Sequence, residues 1–191
     1  MGGPYRWHNE PPVWTGDSQV LSLVTGESTD FWRETFYDFI HDNGHAWMQP
    51  VSGDFTLSAT VLGGYEALYD QAGLMLMLDA RNWIKCGIEY TDGLMHFSVV
   101  VTRGVSDWSV IPLHGISPAD PLFVRLTRHG SAVRVQFRFG DNPWQMARLC
   151  PFFDGDAEAG IMACSPLRAG FAAMFRDIAI GPAISRQLHE G

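Results

Sequence analysis

Apolar and polar residues alternate with period two along most of the chain, and a helical period of 3.6 is hard to find. Asp54–Val61 places Phe55, Leu57, Ala59 and Val61 on one face, and Gly63-Gly64 then turns the chain. Gln71–Leu78 is a continuous apolar run that ends at the turn Asp79-Ala80-Arg81-Asn82. Trp83–Tyr90 is the next expected strand, and the Asp-Gly step in Thr91-Asp92-Gly93 signals a tight hairpin into Leu94–Arg103. Leu122–Arg128 and Ala132–Phe139 flank His129-Gly130-Ser131 as a second hairpin. Glu158–Ala163 and Gly170–Ile180 complete the strands, and the tail over 183–191 is expected to be frayed or helical. Strands of this length, joined by hairpins without crossover helices, predict an all-β fold of two antiparallel sheets packed as a sandwich.

Composition agrees with that picture. The chain has 191 residues, 46% hydrophobic and 13% aromatic, with 20 glycines, which suits many packed strands and tight turns in one domain spanning 1–191. A net charge of −8 argues against nucleic acid and anionic membrane surfaces as partners. No apolar run approaches the ~20 residues of a membrane helix. Met1–His8 lacks the apolar core of a signal peptide, and Cys86, Cys150 and Cys164 form no CxxC pair. A cytoplasmic location with reduced thiols is the expectation. Lys85 is the only lysine, beside twelve arginines.

Three segments, with two more behind them, carry a family resemblance. They are Thr29-Asp30-Phe31-Trp32-Arg33, Tyr69–Met75 (YDQAGLM) and Asp79–Tyr90 (DARNWIKCGIEY), supported by Ser98–Arg103 (SVVVTR) and Ser106-Asp107-Trp108-Ser109. From about 29 to 182 the chain resembles the concanavalin A-like domains of the regulation of enolase protein family. The shorter Gln-Ala-Gly-Leu … Asn-Trp-x-Lys-x-Gly-x-Glu-Tyr core is also similar to the C-terminal sandwich of xylosidases. The resemblance implies a jelly roll whose concave face holds sugars in other families. It implies no activity, since one fold hosts many functions.

Strand parity then points to a site. Trp83, Lys85, Gly87 and Glu89 share one face of their strand, opposite the apolar set Ile84, Cys86, Ile88 and Tyr90. If neighbouring strands pair as hairpins, Gln71, Lys85, Glu89 and His96 converge, with Trp83 and Trp108 at the wall and His45 and Arg103 at the edges. Aromatic faces beside amide, carboxylate and ammonium groups suit a saccharide or a similar small polar ligand. The alternative is a solvated or merely structural face, with Lys85 and Glu89 each paired to a neighbouring strand. Gly73 and Gly87 at mid-strand mark either a bulge or tight sheet curvature, or floor space for a ligand or a covering aromatic side chain.

Other motifs add less. In His41-Asp42-Asn43-Gly44-His45-Ala46-Trp47 the Asn-Gly step makes a turn, so the two histidines do not share a helix face as metal ligands would. That loop either overhangs the groove with His45 and Trp47 pointing in, or lies bare on the surface. Asp154-Gly155-Asp156-Ala157-Glu158 has calcium-like carboxylates without the spacing of an EF-hand, so a turn is expected and no metal. No nucleophile elbow, Walker loop or dinucleotide glycine loop occurs, so no cofactor is expected. Glu66, Asp70, Glu89 and Asp107 are the candidate acids for glycoside hydrolysis, but the paired strand carboxylates of catalytic jelly rolls are missing. The expected role is therefore non-catalytic ligand binding. A regulatory protein-interaction domain, able to act through a protein partner or a homodimer, is the first alternative, and a weak glycoside hydrolase is the second.

Overall fold

A computed structural model describes residues 3–188. Two seven-stranded antiparallel sheets face each other, with strands numbered in chain order. The first sheet runs β1 (Arg6–His8), β6 (His45–Val51), β15 (Ala157–Cys164), β8 (Gln71–Asp79), β9 (Asn82–Thr91), β10 (Leu94–Arg103) and β11 (Val105–Pro112). The second runs β14 (Gln145–Pro151), β13 (Ala132–Phe139), β12 (Leu122–His129), β7 (Phe55–Gly63), β16 (Ala172–Gly181), β3 (Val20–Val24) and β2 (Val13–Gly16). A separate small hairpin, β4 (Phe31–Arg33) with β5 (Ile40–Asp42), completes the set. The expected all-β sandwich is what forms. Residues 183–188 contain no helix, and 189–191, like 1–2, lie outside the described residues.

The parity of the sequence becomes the layering of the fold. Phe55, Leu57 and Val61 from the second sheet meet Leu74, Ile84, Cys86, Ile88 and Phe97 from the first in one buried core. Phe97 and Phe137 stack across it with ring centroids 4.1 Å apart and planes 11° from parallel. Each such side chain, fully buried, contributes roughly 1.5–3 kcal/mol. Asp92 and Gly93 both hold positive φ, at 54° and 75°, which is the two-residue turn that lets β9 and β10 pair in register from Thr91↔Leu94 to Asn82↔Arg103.

Gly73 and Gly87 face each other across β8 and β9, which leaves no floor space for a ligand between them. A Cβ on Gly73 would strike the Cys86 carbonyl oxygen, and one on Gly87 would strike that of Ala72. The register shift between β8 and β9 lies instead between Met77 and Asp79. The glycines are there because two backbones approach too closely for any side chain.

The outer face of the first sheet is not solvated. Met48, Met75, Met77, Trp83, Val100, Met162 and Cys164 form a second apolar cluster there, roofed by Phe31 of the small hairpin. Arg33, itself buried, fastens that roof by donating from Nε to the Gly104 carbonyl at 3.0 Å, while its backbone N–H reaches Ser106 Oγ at 3.0 Å. Where the roof stops, the face opens into a cavity.

Candidate functional site

The cavity floor is built by register. Lys85 on β9, Val100 on β10 and Trp108 on β11 form one cross-strand row, and Gln71, Glu89 and His96 form another on the same face, with the row of Gly73, Gly87 and Ser98 between them. The rest comes from the hairpin and loops that cross the sheet. Asp30, Trp32, Tyr37, Phe39 and His41 descend from the roof, with Ser28, Tyr69, Pro166 and Leu167 around the mouth. Together with Gln71, Lys85, Glu89, Val100 and Trp108 they enclose about 330 Å³. That volume falls at the lower end of the ~300–1,000 Å³ typical of small-molecule sites.

Lys85 finds its counter-charge in the roof. Its Nζ donates to Asp30 Oδ1 at 2.9 Å, the same oxygen that accepts from Gln71 Nε2 at 3.3 Å and from the Phe31 backbone N–H at 2.8 Å. The Lys85 and Asp30 side chains are only 4% and 17% exposed, so this is a pair held largely out of water. Burial pulls the Lys85 ammonium toward a lower pKa, but Asp30, Cys164 and Glu89 outweigh it and the net shift is upward.

Glu89 is buried and makes no ion pair within 4 Å among the described residues. Burial pushes its pKa up, and the nearby Lys85 ammonium, Ser98 and Trp108 only partly offset that push. The Trp108 Nε1–H itself donates to Ser98 Oγ at 3.1 Å. Stability linkage follows. The folded state holds the Glu89 proton more tightly than the unfolded chain, so burial of Glu89 lowers stability progressively as pH rises above its ordinary value of 4.5, and has no such effect below it. Glu89→Gln is therefore expected to leave the melting temperature unchanged near pH 4 and to raise it at pH 7–8. Melting curves at the two pH values check this; an equal difference at both would contradict it.

Four rings form the walls as a closed circuit. Trp32 and Trp108 meet edge-to-face at 6.5 Å and 86°, and Trp108 meets Tyr69 at 6.5 Å and 77°. Trp32 meets Tyr37 at 6.1 Å and 69°, and the Tyr37 and Tyr69 hydroxyls close the ring at 3.4 Å. That hydroxyl contact, then burial, then Tyr37 and the nearby Glu89 and Asp92 push the Tyr69 phenol up to about 12. The loop bearing Tyr37 turns sharply, with Glu34, Phe36 and Asp38 all at positive φ (60°, 69° and 56°). Such geometry is strained for residues with a side chain. Backbone bonds hold it, from Glu34 N–H to the Phe39 carbonyl and from Asp38 N–H to the Glu34 carbonyl, both at 2.8 Å.

Of the eight residues predicted from sequence, the structure brings Gln71, Lys85, Glu89 and Trp108 to the cavity. Trp83 is no wall, because it is fully buried beneath Phe31, ring centroids 6.0 Å apart. His96 shares a row with Glu89 but is not part of the cavity lining, and its Nδ1 lies 3.1 Å from the Leu94 carbonyl. His45 does not point in either. Its Nε2 accepts from the Gly26 N–H at 2.9 Å and its Nδ1 donates to the Asn9 carbonyl at 2.7 Å, which pins the ring as a neutral tautomer, and burial lowers its pKa although the Asn9 carbonyl pulls the other way. Trp47 stacks instead on Tyr5 at 4.1 Å. Arg103 stands exposed at the end of β10, away from the lining. The solvated-face alternative fails as well, since Lys85 pairs with Asp30 of the overlying segment and not with a neighbouring strand.

The roof residues were the omission. Thr29-Asp30-Phe31-Trp32-Arg33 carried the family resemblance, yet nothing in its own pattern placed it over the sheet. The usable signal was Lys85, a lone buried-strand lysine that needed a carboxylate from elsewhere. In the Asp154–Glu158 segment the chain bends at Gly155, whose carbonyl accepts from Arg128 Nη1 at 2.8 Å, and Ala157 and Glu158 already belong to β15 rather than to a turn. Among the described residues, no cluster of three metal-binding side chains occurs.

Comparison with known proteins agrees with this architecture. The chain is 38% identical to "Regulation of enolase protein 1" of Saccharomyces cerevisiae over 185 residues, 96% of this chain and 92% of that one. A crystal structure of a functionally unknown protein from Saccharomyces cerevisiae superposes with a TM-score of 0.90 at 36% identity, covering 95% of this chain and 97% of that chain. Two more distant likenesses concern the fold alone. The GH43 BlXynB protein of Bacillus licheniformis gives a TM-score of 0.67 at 18% identity over 93% of this chain and 36% of that one. The legume lectin-like domain from Entamoeba histolytica gives 0.62 at 10% identity over 94% and 90%. The family model described as "Protein of unknown function (DUF1349)" matches residues 7–183, and the chain belongs to that family.

Proposed function

We propose that the chain is a non-catalytic binding module whose cavity on the outer face of the first sheet takes a saccharide or a similar small polar ligand. The observation that carries this reading is the pairing of an aromatic-walled cavity with a buried polar floor. Trp32, Tyr37, Tyr69 and Trp108 offer flat faces for C–H packing, and Gln71, Lys85, Asp30 and Glu89 offer fixed partners for polar groups. Four predicted residues meet there. The lectin-like sandwich supports the reading only as a scaffold.

The hydrolase alternative gains little from the same floor. Asp30 and Glu89 are its two carboxylates, but one Asp30 oxygen already takes the Lys85 ammonium, the Gln71 amide and a backbone N–H. The interaction alternative rests on the name of the yeast relative and on Phe36, 89% exposed at the loop tip beside the cavity.

A glycan array followed by calorimetry tests the proposal. A bound ligand is expected, and Trp108→Ala should weaken it by about tenfold or more, as for a large aromatic anchor. Silence across sugars and other small polar ligands, with Trp108→Ala indistinguishable from the parent, would remove the proposal.

A further inference from the structure

The formal charges at the floor do not cancel. Lys85 is committed to Asp30 at 2.9 Å, so that pair is neutral overall, and Glu89 is left over. At 5% exposure it faces the cavity, and no ion pair reaches it within 4 Å among the described residues. A buried carboxylate with no cation of its own is costly to maintain. A ligand that brings the missing positive charge offsets that cost.

The walls narrow the kind of cation. A sugar would use one or two of these rings at a time, whereas the four together bound the cavity, with Trp32 and Tyr69 nearly perpendicular to Trp108 and Tyr37 closing the fourth side. These aromatic side chains border the cavity from several sides at once. Aromatic faces attract cations through their quadrupole, and Trp does so most strongly. A metal ion does not fit this setting, because Ca²⁺ or Mg²⁺ needs about six oxygen ligands. A primary ammonium needs three acceptors, and ring faces do not supply them. A methylated ammonium gives up little hydration and presents C–H groups all round. The chain's net charge of −8 also favours the approach of a cation.

We infer that the cavity selects a methylated ammonium group, seated among Trp32, Tyr37, Tyr69 and Trp108 with Glu89 as its counter-charge. This deepens the binding role proposed above and rests on it. The neutral Lys85–Asp30 pair holds the floor, and Glu89 supplies the charge selectivity. A methylated ammonium is carried both by free small molecules and by methylated lysine side chains.

Calorimetry at low ionic strength with two probes tests it. Choline and 3,3-dimethylbutan-1-ol share a shape and differ in charge. Choline is expected to bind at least about tenfold more tightly. Glu89→Gln should weaken choline by about tenfold and leave the alcohol within about twofold, with a melting curve confirming the fold of the variant. A trimethyl-lysine peptide run alongside assigns the source: tighter binding than choline points to a side chain, weaker binding to a free ligand. The alcohol binding as tightly as choline overturns the inference but leaves the binding role standing. A saccharide weakened by Trp108→Ala, with choline silent, does the same. Silence from choline, the alcohol, the peptide and every sugar overturns both.

Discussion

Replacing Lys85 with methionine is expected to destabilise the protein by about 3–5 kcal/mol, the usual effect of removing one partner from a buried ion pair. The methionine fills nearly the same volume, so lost packing is a small part of the effect. Most of it comes from the carboxylates left behind. Asp30, 17% exposed at its side chain, and Glu89 would share a low-dielectric floor with no cation between them. For a domain of this length each kcal/mol lowers the melting temperature by about 2–4 °C, so a fall of roughly 6–20 °C should be seen. Adding Asp30→Asn to Lys85→Met should recover part of the loss, because it removes one of the stranded charges. Lys85→Arg keeps the charge but brings a planar fork to a site that uses a single Nζ contact, so it should fall between the parent and Lys85→Met. A loss under about 1 kcal/mol for Lys85→Met would show the pair to behave as an exposed surface bridge.

The same pair shows what the sequence could reveal. Alternation located β7, β9, β10, β12, β13, β15 and β16, each of which has one face in the core between the sheets, while β8, buried on both faces, stood out as a continuous apolar run. It did not reveal β11 and β14, whose residues are largely exposed and whose pattern carries no such contrast, nor β1 to β6, of which β1, β2, β4 and β5 are only three or four residues long. Parity also assigned Gln71, Lys85 and Glu89 to one surface, since strand geometry fixes that choice. It could not say what covers the surface. Trp83 and Lys85 are equivalent by parity, yet one lies under Phe31 and the other at the cavity. The roof is joined to the sheet by contacts between residues far apart in sequence, Asp30 with Lys85 and Arg33 with Gly104, and no local pattern encodes those.

Phe31 is where roof and sheet depend on each other, and Phe31→Ala is expected to open the site while the sandwich stays folded. The ring is 1% exposed, packed 6.0 Å from Trp83 and 5.8 Å from His8 between centroids. Gly44 makes room for it, since a Cβ there would collide with the Phe31 ring. Truncating a buried phenylalanine removes about 3–5 kcal/mol. That loss falls on a two-stranded hairpin that is marginal alone. The tethers that remain include the Asp30 contacts with Lys85 and Gln71, the Arg33 bonds, the Trp32–Trp108 and Tyr37–Tyr69 contacts and the Gly44 N–H to the Asp30 carbonyl. The ring belongs to the outer apolar cluster and not to the core between the sheets. Local release should therefore precede global unfolding. Amide exchange should speed up across residues 31–42 and stay slow in β7, β12 and β13. Ligand binding should be lost along with the walls that Trp32 and Tyr37 provide, while the melting temperature of the sandwich falls by less than the full 3–5 kcal/mol implies. If exchange across 31–42 instead kept pace with that of the core strands, the hairpin would be an integral layer of the fold, and the cavity would be as stable as the sandwich itself.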